Sequence, residues 1–144
     1  MIIDGAEISL LAFLVCESVS KDAQSGKTTI QSIFDNVFAA GVPAFKGEMA
    51  VFFRIKVEDA ALQVSPRLEF LHPSGLRNAM PDLPALNVGV NGMADSIINM
   101  QGVVFPEFGE YTIELFLNNI RVAGYPLIVQ RLGVQSSGGS QQIH

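Results

Sequence analysis

The sequence predicts an all-β protein that folds as one antiparallel β-sandwich of about seven to nine strands. Several segments alternate apolar and polar residues with a period of two, and turn-forming residues separate these segments. No segment carries a convincing long helical pattern. The chain has 144 residues, of which 49% are hydrophobic and only 16% are charged. We therefore expect a folded core over most of the length.

The first predicted strand is the apolar run over residues 8–16. This run is too short to span a bilayer, and Asp4 and Glu7 stand where a signal peptide would carry basic residues. We interpret it as a buried strand of a cytoplasmic protein that has no membrane partner. Cys16 is then a small core residue, because apolar surroundings raise the pKa of a thiol and make it less reactive.

Residues 30–38 leave the choice between strand and helix open. Their apolar positions match the spacing of a helical face, yet the segment is rich in β-branched residues and poor in strong helix formers. We favour a bulged strand, which Gly41 and Pro43 would end in either case.

The clearest strand covers residues 48–58. Its apolar face is formed by Met49, Val51, Phe53, Ile55 and Val57. The opposite face carries charged residues, with Ala50 and Phe52 among them. Alternation over this length predicts a half-buried strand.

Four further strand segments follow along the chain. Residues 67–71 and 97–105 read as strands, and Gly102 is a candidate bulge. Residues 111–118 and 120–130 form a hairpin, because asparagine at both turn positions tolerates positive φ. Residues 73–106 hold only three charged residues and include a loop with two prolines at 81–84. We expect a single domain over residues 1–135 and a flexible tail over residues 136–144.

A short motif precedes the last hairpin. Gly109-x-Tyr111 enters a predicted strand, as is common in immunoglobulin-like sandwiches. The glycine permits a sharp turn, and the tyrosine packs its ring while its hydroxyl holds a neighbouring backbone group. We therefore predict an Ig-like sandwich, a statement about the fold that indicates no activity.

Several pieces of the sequence together resemble a family of uncharacterised bacterial proteins, a domain of unknown function. The pieces are Cys16-Glu17, Gly26-Lys27, Ile33-Phe34-Asp35, Val51-Phe52-Phe53-Arg54, and Phe105-Pro106 followed by Gly109-x-Tyr111. The resemblance covers most of residues 8–131. It implies an Ig-like fold, and it implies no reaction, ligand or catalytic residue.

The residues that could carry chemistry are scattered. His72 and His144 lack metal-ligand spacing, the carboxylates form no calcium-loop pattern, and the serines lack a nucleophile-elbow context. Residues 25–28 share the end of a phosphate-loop motif, but Lys21 stands where an upstream glycine is needed. We predict no catalytic, cofactor-binding or metal-binding residue. An enzyme would need Cys16, His72 and a carboxylate to meet in one cleft.

Composition also narrows the possible partners. Nine Lys and Arg against fourteen Asp and Glu give a net charge of −5. Nucleic acid is therefore not an expected partner, because binding phosphates requires clustered positive charge. Tryptophan is absent and tyrosine occurs twice, which disfavours sugar stacking, with Tyr125 as the free candidate for it.

The apolar strand surface exceeds what one core layer requires. In the first strand, alternation places Leu11, Phe13 and Val15 on a second apolar face, while Phe52 and Phe116 lie on faces opposite the expected core. Monomers seldom expose large apolar patches, and homodimer interfaces are more apolar than ordinary surface. The candidate interface residues are therefore Leu11, Phe13, Val15, Phe52 and Phe116.

From this excess we predict a non-catalytic assembly or protein-interaction module that buries one apolar sheet face. Its partner would be a second copy of the chain or another protein. A monomer that covers this face with a loop such as residues 81–86 is the structural alternative. A small-ligand or carbohydrate-binding β-sandwich is the functional alternative.

Overall fold

The computed structural model describes residues 1–133, and every regular element in them is a strand. The strands are β1 (Ile2–Ile3), β2 (Ala6–Lys21), β3 (Thr28–Ile33), β4 (Asn36–Ala39), β5 (Ala44–Glu58), β6 (Leu62–Val64), β7 (Pro66–Leu71), β8 (Arg77–Ala79), β9 (Leu86–Val88), β10 (Met93–Phe105), β11 (Gly109–Leu117) and β12 (Ile120–Arg131). The all-β prediction is confirmed. The number of strands exceeds the expected seven to nine, because five of them span only two to four residues.

Within residues 1–133, no helix is long and apolar enough to cross a membrane. The predicted tail, residues 136–144, lies outside the described residues.

The strands form two five-stranded sheets and one short pair. The first sheet has the order β1-β2-β5-β10, with β3 also paired to β2, and the second has the order β4-β12-β11-β7-β8. Strands β6 and β9 pair with each other. The pairings are antiparallel, as expected, except that β4 runs parallel to β12.

Both sheets contribute to one hydrophobic core. Phe53 of the first sheet and Leu115 and Leu127 of the second are completely buried in it. The rings of Phe105 and Tyr111 meet edge to face, with centroids 5.1 Å apart. Burial of these large side chains is the main stabilising contribution that holds the two sheets together.

A β-bulge at Leu11 reverses which side chains of β2 face the core. The register of β2 against β5 shifts between Leu10 and Ala12, so Leu11 is the extra residue. Beyond the bulge, Phe13 packs against the core and Val15 lies within it, whereas Leu11 is 50% exposed. The prediction that these three residues share an outer face is wrong for Phe13 and Val15, because a bulge breaks strict alternation.

Residues 28–39 are strand rather than helix, and they divide between the two sheets. β3 pairs with β2, and β4 pairs with β12. Ser32, near the end of β3, has a φ of 58°, and the chain crosses from one sheet to the other at Phe34 and Asp35. The preference for strand is confirmed, but as two strands instead of a single bulged one.

Gly102 does not form the predicted bulge. The pairing of β10 with β5 keeps the same register on both sides of it. Instead, Gly102 has a φ of 61°, and the buried positions change there from Ile98 and Met100 to Phe105. Positive φ therefore reverses the alternation without inserting a residue.

The two predictions about the last hairpin are confirmed. β11 and β12 join through Asn118 and Asn119, whose φ values are 49° and 67°. Tyr111 is fully buried, and its hydroxyl bonds to the backbone of Glu107.

Candidate functional site

The longest edge strand of the described chain is β10. It has 13 residues and pairs with β5 on one side, while no described strand pairs with its other side. In an antiparallel pair, alternate residues direct their N–H and C=O groups away from the partner strand. β10 therefore presents a row of free backbone donors and acceptors to its surroundings.

The sequence of β10 carries few of the residues that usually prevent a strand edge from pairing with another chain. β10 contains no proline and no lysine, and its one charged residue is Asp95. Arg54 of β5 donates to Asp95 from Nε at 2.6 Å and from Nη2 at 2.9 Å. These hydrogen bonds lower the pKa of the Asp95 carboxyl. The negative charge of Asp95 is therefore paired with Arg54 within the sheet, and the edge of β10 carries no unpaired charge.

A cleft of about 480 Å³ runs along this edge. One wall consists of residues 98–101, Val103 and Val104 of β10, and the other of Phe70, His72, Asn78 and loop residues 80–83. Successive residues of a strand point to opposite faces of its sheet. Because consecutive β10 residues line the cleft, it follows the edge of the strand and not one of its faces.

The interior of the cleft is mostly apolar. Ile98, Met100 and Phe70 line it and also belong to the hydrophobic core, so its floor reaches the core. Leu83 is partly buried against the same cluster. Asp82 is the single charged side chain among the lining residues. The cleft therefore suits an occupant with neutral, largely apolar side chains.

His72 is the buried polar group of the cleft. It is 5% exposed, its ring centroid lies 4.9 Å from that of Tyr111, and its Nε2 lies 3.0 Å from Asn78 Nδ2. An amide nitrogen only donates, so Nε2 accepts and a neutral His72 carries its proton on Nδ1. Among the described residues Nδ1 has no hydrogen-bond partner. The atom is also shielded from solvent, so its hydrogen-bonding capacity stays unused within the described residues.

The loop that closes the cleft does not pair with β10. Residues 80–85 contain Pro81 and Pro84, which have no N–H to donate, and they form no strand. The N–H of Met80 donates instead to the carbonyl of Leu68 at 3.0 Å, which joins the start of the loop to the second sheet. The loop thus forms a wall of the cleft and leaves the edge of β10 free.

Three of the five predicted interface residues lie on β2, and two of them are covered within the chain. Phe13 packs edge to face on Tyr125, with centroids 6.3 Å apart, and Val15 is completely buried. Leu11 remains half exposed at the bulge. Tyr125 is not free for sugar stacking, because its ring contacts Phe13 and its hydroxyl donates to the carbonyl of Phe34 at 2.8 Å.

The other two predicted interface residues are covered by arginine side chains. Phe52 is 5% exposed, and the guanidinium of Arg54 lies 5.9 Å from its ring centroid. Phe116 is partly buried, and the guanidinium of Arg67 lies 4.2 Å from its ring centroid. Both contacts are cation–π interactions over apolar rings. The five residues therefore do not form one exposed apolar face.

The residues considered for catalysis are not brought together. Cys16 is fully buried, and its thiol lies 3.6 Å from the carbonyl oxygen of Ala50. Burial raises the pKa of this thiol. His72 contacts Asn78 and Tyr111 instead. Within residues 1–133 there is no group of three or more side chains suited to hold a metal ion.

Sequence reasoning found the components of the cleft but not the cleft itself. The sequence predicts the turn at His72, the two-proline loop and a strand over residues 97–105, which is part of β10. It could not identify β10 as an edge, because an edge is defined by the absence of a pairing partner from elsewhere in the chain. The low charge of residues 73–106 was the available signal.

Comparison with known proteins places the chain in a family without a known activity. Residues 11–130 match the model described as "Family of unknown function (DUF6941)". The resemblance to a family of unknown function is therefore confirmed. A search of curated protein sequences finds no significant match to this chain.

Similar folds occur as parts of larger solved structures. The chain is similar to the Pseudomonas fluorescens alkylpurine DNA glycosylase AlkC bound to DNA containing an abasic site analog, with 10% identity, a TM-score of 0.59, and coverage of 88% of this chain and 31% of that one. It is also similar to a beta-D-glucoside glucohydrolase from Trichoderma reesei, with 13% identity, a TM-score of 0.53, and coverage of 86% and 19%. At such identities the likeness concerns the fold alone.

A third solved structure is an immunoglobulin-like protein from Pseudomonas aeruginosa. It is 15% identical to this chain, and the match covers 86% of this chain and 97% of that one, with a TM-score of 0.35.

Proposed function

We propose that this chain, which belongs to the DUF6941 family of unknown function, is a non-catalytic protein-interaction module. The observation that carries the proposal is the apolar cleft along the unpaired edge of β10. Free strand edges bind other chains through backbone hydrogen bonds, and adjoining pockets select their side chains. The proposed interface is therefore this edge and not the apolar sheet face predicted from the sequence, because the chain itself covers most of that face.

We infer that the two sheets form an Ig-like sandwich. In such domains one sheet has the strand order A-B-E-D, and the other contains C, F and G. β2, β5 and β10 take the order A-B-E, while β7, β11 and β12 take the order C-F-G. The bond from Tyr111, near the start of β11, back to Glu107 corresponds to the tyrosine corner of strand F. Strand order and corner together support this assignment.

The burial of Cys16 supports the non-catalytic part of the proposal. A thiol with a raised pKa and no exposed surface is a poor nucleophile. We also propose a cytoplasmic location, since a fold with a single cysteine uses no internal disulfide and suits a reducing compartment. Cell fractionation with an antibody against the protein would test the location.

Matched surface variants test the proposed interaction. Asn99 and Gln101 are exposed residues that line the cleft, and Thr29 is an exposed residue on β3. In affinity capture from native extract, we expect a partner bound by the wild type and by Thr29→Lys to be lost with the double variant Asn99→Lys, Gln101→Lys. Lysine protects natural strand edges from pairing. Capture that is unchanged by the double variant would contradict the proposal, provided that thermal unfolding shows all three proteins folded.

Light scattering on the purified protein addresses self-association. If the partner is a second copy, the wild type has twice the chain mass at micromolar concentration, and the double variant has the mass of one chain. If the wild type is a monomer, the partner is a different protein. Either result is compatible with an interaction module, and the comparison decides its type.

A small-ligand module is the second candidate, because the cleft also has the size of a ligand pocket. Its volume of about 480 Å³ falls within the usual range of about 300–1,000 Å³. Native mass spectrometry of protein purified from its own cells would detect a retained small molecule. A retained molecule that is lost in the variant Ile98→Trp, whose side chain fills the cleft, would favour this candidate.

A further inference from the structure

We propose that the cleft is an unfilled strand position, that of strand D in an Ig-like sandwich, and that an extended segment of a partner protein, apolar at alternate positions and without acidic residues, fills it by pairing with β10. This inference rests on the proposed function and specifies how the partner binds. It assigns the edge of β10 to backbone pairing and the cleft to the side chains of the added strand.

The strand order shows why the position is unfilled. Strand D normally follows strand E at the end of its sheet, but here the sheet ends at β10, the counterpart of strand E. The chain between β7 and β10, the counterparts of strands C and E, is where strand D would arise. Both strands of this segment pair elsewhere, β8 with β7 in the second sheet and β9 with β6. The loop between β8 and β9 contains Pro81 and Pro84. The chain crosses this region without supplying a partner for β10.

The shape of the cleft favours one extended chain over a second folded copy. The lining residues of β10 extend from Ile98 to Val104, a length of about 20 Å at the rise of a strand. Opposite them, Asn78 and residues 80–83 form the second wall. A single strand added to β10 would lie on the side of this second wall, at the usual spacing of about 4.8 Å from β10. The sheet edge of another folded domain would meet the wall formed by the loop.

The lining residues define the chemistry of the added segment. Alternate side chains of a strand point to opposite faces, so every second residue would face Phe70, Ile98 and Met100 and should be apolar. Asp82 is the single charge in the lining, and the protein has a net charge of −5, which disfavours acidic segments and favours a basic residue near Asp82.

A tethered probe strand tests this directly on the full chain. The probe is an octapeptide of alternating threonine and valine with a terminal lysine. It is joined to the C-terminus by a flexible linker of about 30 Gly and Ser residues, which reaches about 30 Å and gives a high effective concentration. The matched control has prolines at the two central probe positions, which removes N–H donors but preserves length and linker.

Hydrogen exchange measured residue by residue is the readout. With the probe, we expect the β10 amides that β5 leaves unpaired to exchange at about one tenth of their rate without it, or more slowly still. We expect no such slowing with the proline control. Adding Asn99→Lys and Gln101→Lys should abolish the protection. Equal exchange with probe and control would overturn the proposal. Protection of these amides without any probe, rising with protein concentration together with a doubled mass, would assign the edge to a second copy and also overturn it.

The outcomes separate this inference from the broader function. If the probe fails but the lysine variants still lose the native partner, the interaction module stands and the added strand does not. If the probe binds but the cleft variants still capture the same partner from native extract, the strand position exists and the proposed function is wrong.

Discussion

The hydroxyl of Tyr111 holds both backbone polar groups of Glu107. It accepts a hydrogen bond from the N–H of Glu107 at 3.0 Å and donates to the carbonyl of Glu107 at 2.9 Å. The ring is fully buried between His72 and Phe105, with centroid separations of 4.9 Å and 5.1 Å. One side chain thus fixes the corner between β10 and β11 and supports the histidine that lines the cleft.

Removing this hydroxyl should destabilise the corner. We expect Tyr111→Phe to lower the free energy of unfolding by about 1–3 kcal/mol, because two backbone groups lose their partner. Urea unfolding followed by circular dichroism measures the change. Tyr125→Phe is the control, since that hydroxyl makes a single bond, to Phe34, and its ring is only partly buried. If Tyr111→Phe loses no more stability than the control, the two hydrogen bonds of the Tyr111 hydroxyl are not the stabilising contact.

Two glycines that face each other across β5 and β10 should respond differently to alanine. Gly102 has a φ of 61°, whereas Gly47 does not have positive φ, and an added Cβ would meet no atom within 4 Å at either site. We expect Gly102→Ala to cost about 1–2 kcal/mol, because left-handed backbone strains an L-residue. Gly47→Ala should be neutral or slightly stabilising. Chemical denaturation of both variants measures this, and equal effects would show that φ does not govern the reversal at Gly102.

The bulge at Leu11 predicts opposite sensitivities for two neighbouring apolar residues. Phe13→Ala should cost about 3 kcal/mol, since it leaves a cavity beside the core. Leu11→Ala should cost less than about 1 kcal/mol, because that side chain is 50% exposed. Thermal or urea unfolding provides both numbers. The reverse order would mean that β2 keeps strict alternation, and that Phe13 belongs to an outer face after all.

The carboxylate of Glu114 should make stability depend on pH. It is 3% exposed, accepts a hydrogen bond from Nε of Arg121 at 2.7 Å, and accepts another from Arg77. Burial alone would raise the pKa of this group, but the two guanidinium groups outweigh burial and hold it below its ordinary value of 4.5. Its stabilising contribution is therefore fully present above pH 4.5 and is lost as the pH falls through the lower folded pKa.

Replacing Glu114 by Gln isolates this contribution. We expect the variant to be less stable at neutral pH, by about 1–3 kcal/mol, since both arginines lose a charged acceptor. It should also lose less stability than the wild type between pH 5 and about pH 3. Urea unfolding across this range measures the two slopes. Glu110→Gln, at an exposed position of the same strand, is the control, and an acid slope for Glu114→Gln equal to that of the wild type would contradict the assignment.

Local patterns allowed much of the fold to be predicted. Alternation identified the inner face of β5, paired asparagines identified the β11–β12 turn, and Gly109-x-Tyr111 identified the corner at Glu107. Each depends on residues close together in the chain, where side-chain period and backbone φ are restricted by residue type. The outer-face placement of Phe13 and Val15 was wrong for the opposite reason, because no distinctive residue type marks the bulge at Leu11 in the sequence.

Residue type and spacing alone therefore establish an all-β domain, its core-forming periodicity and its last hairpin. That β10 lies at an edge, and that His72 and the loop at Pro81 form a cleft beside it, follows only from the folded structure, because strand pairing joins residues that are distant in the chain. The edge is free because no segment of residues 1–133, including the proline-containing one that precedes β10, supplies the backbone hydrogen bonds to close it.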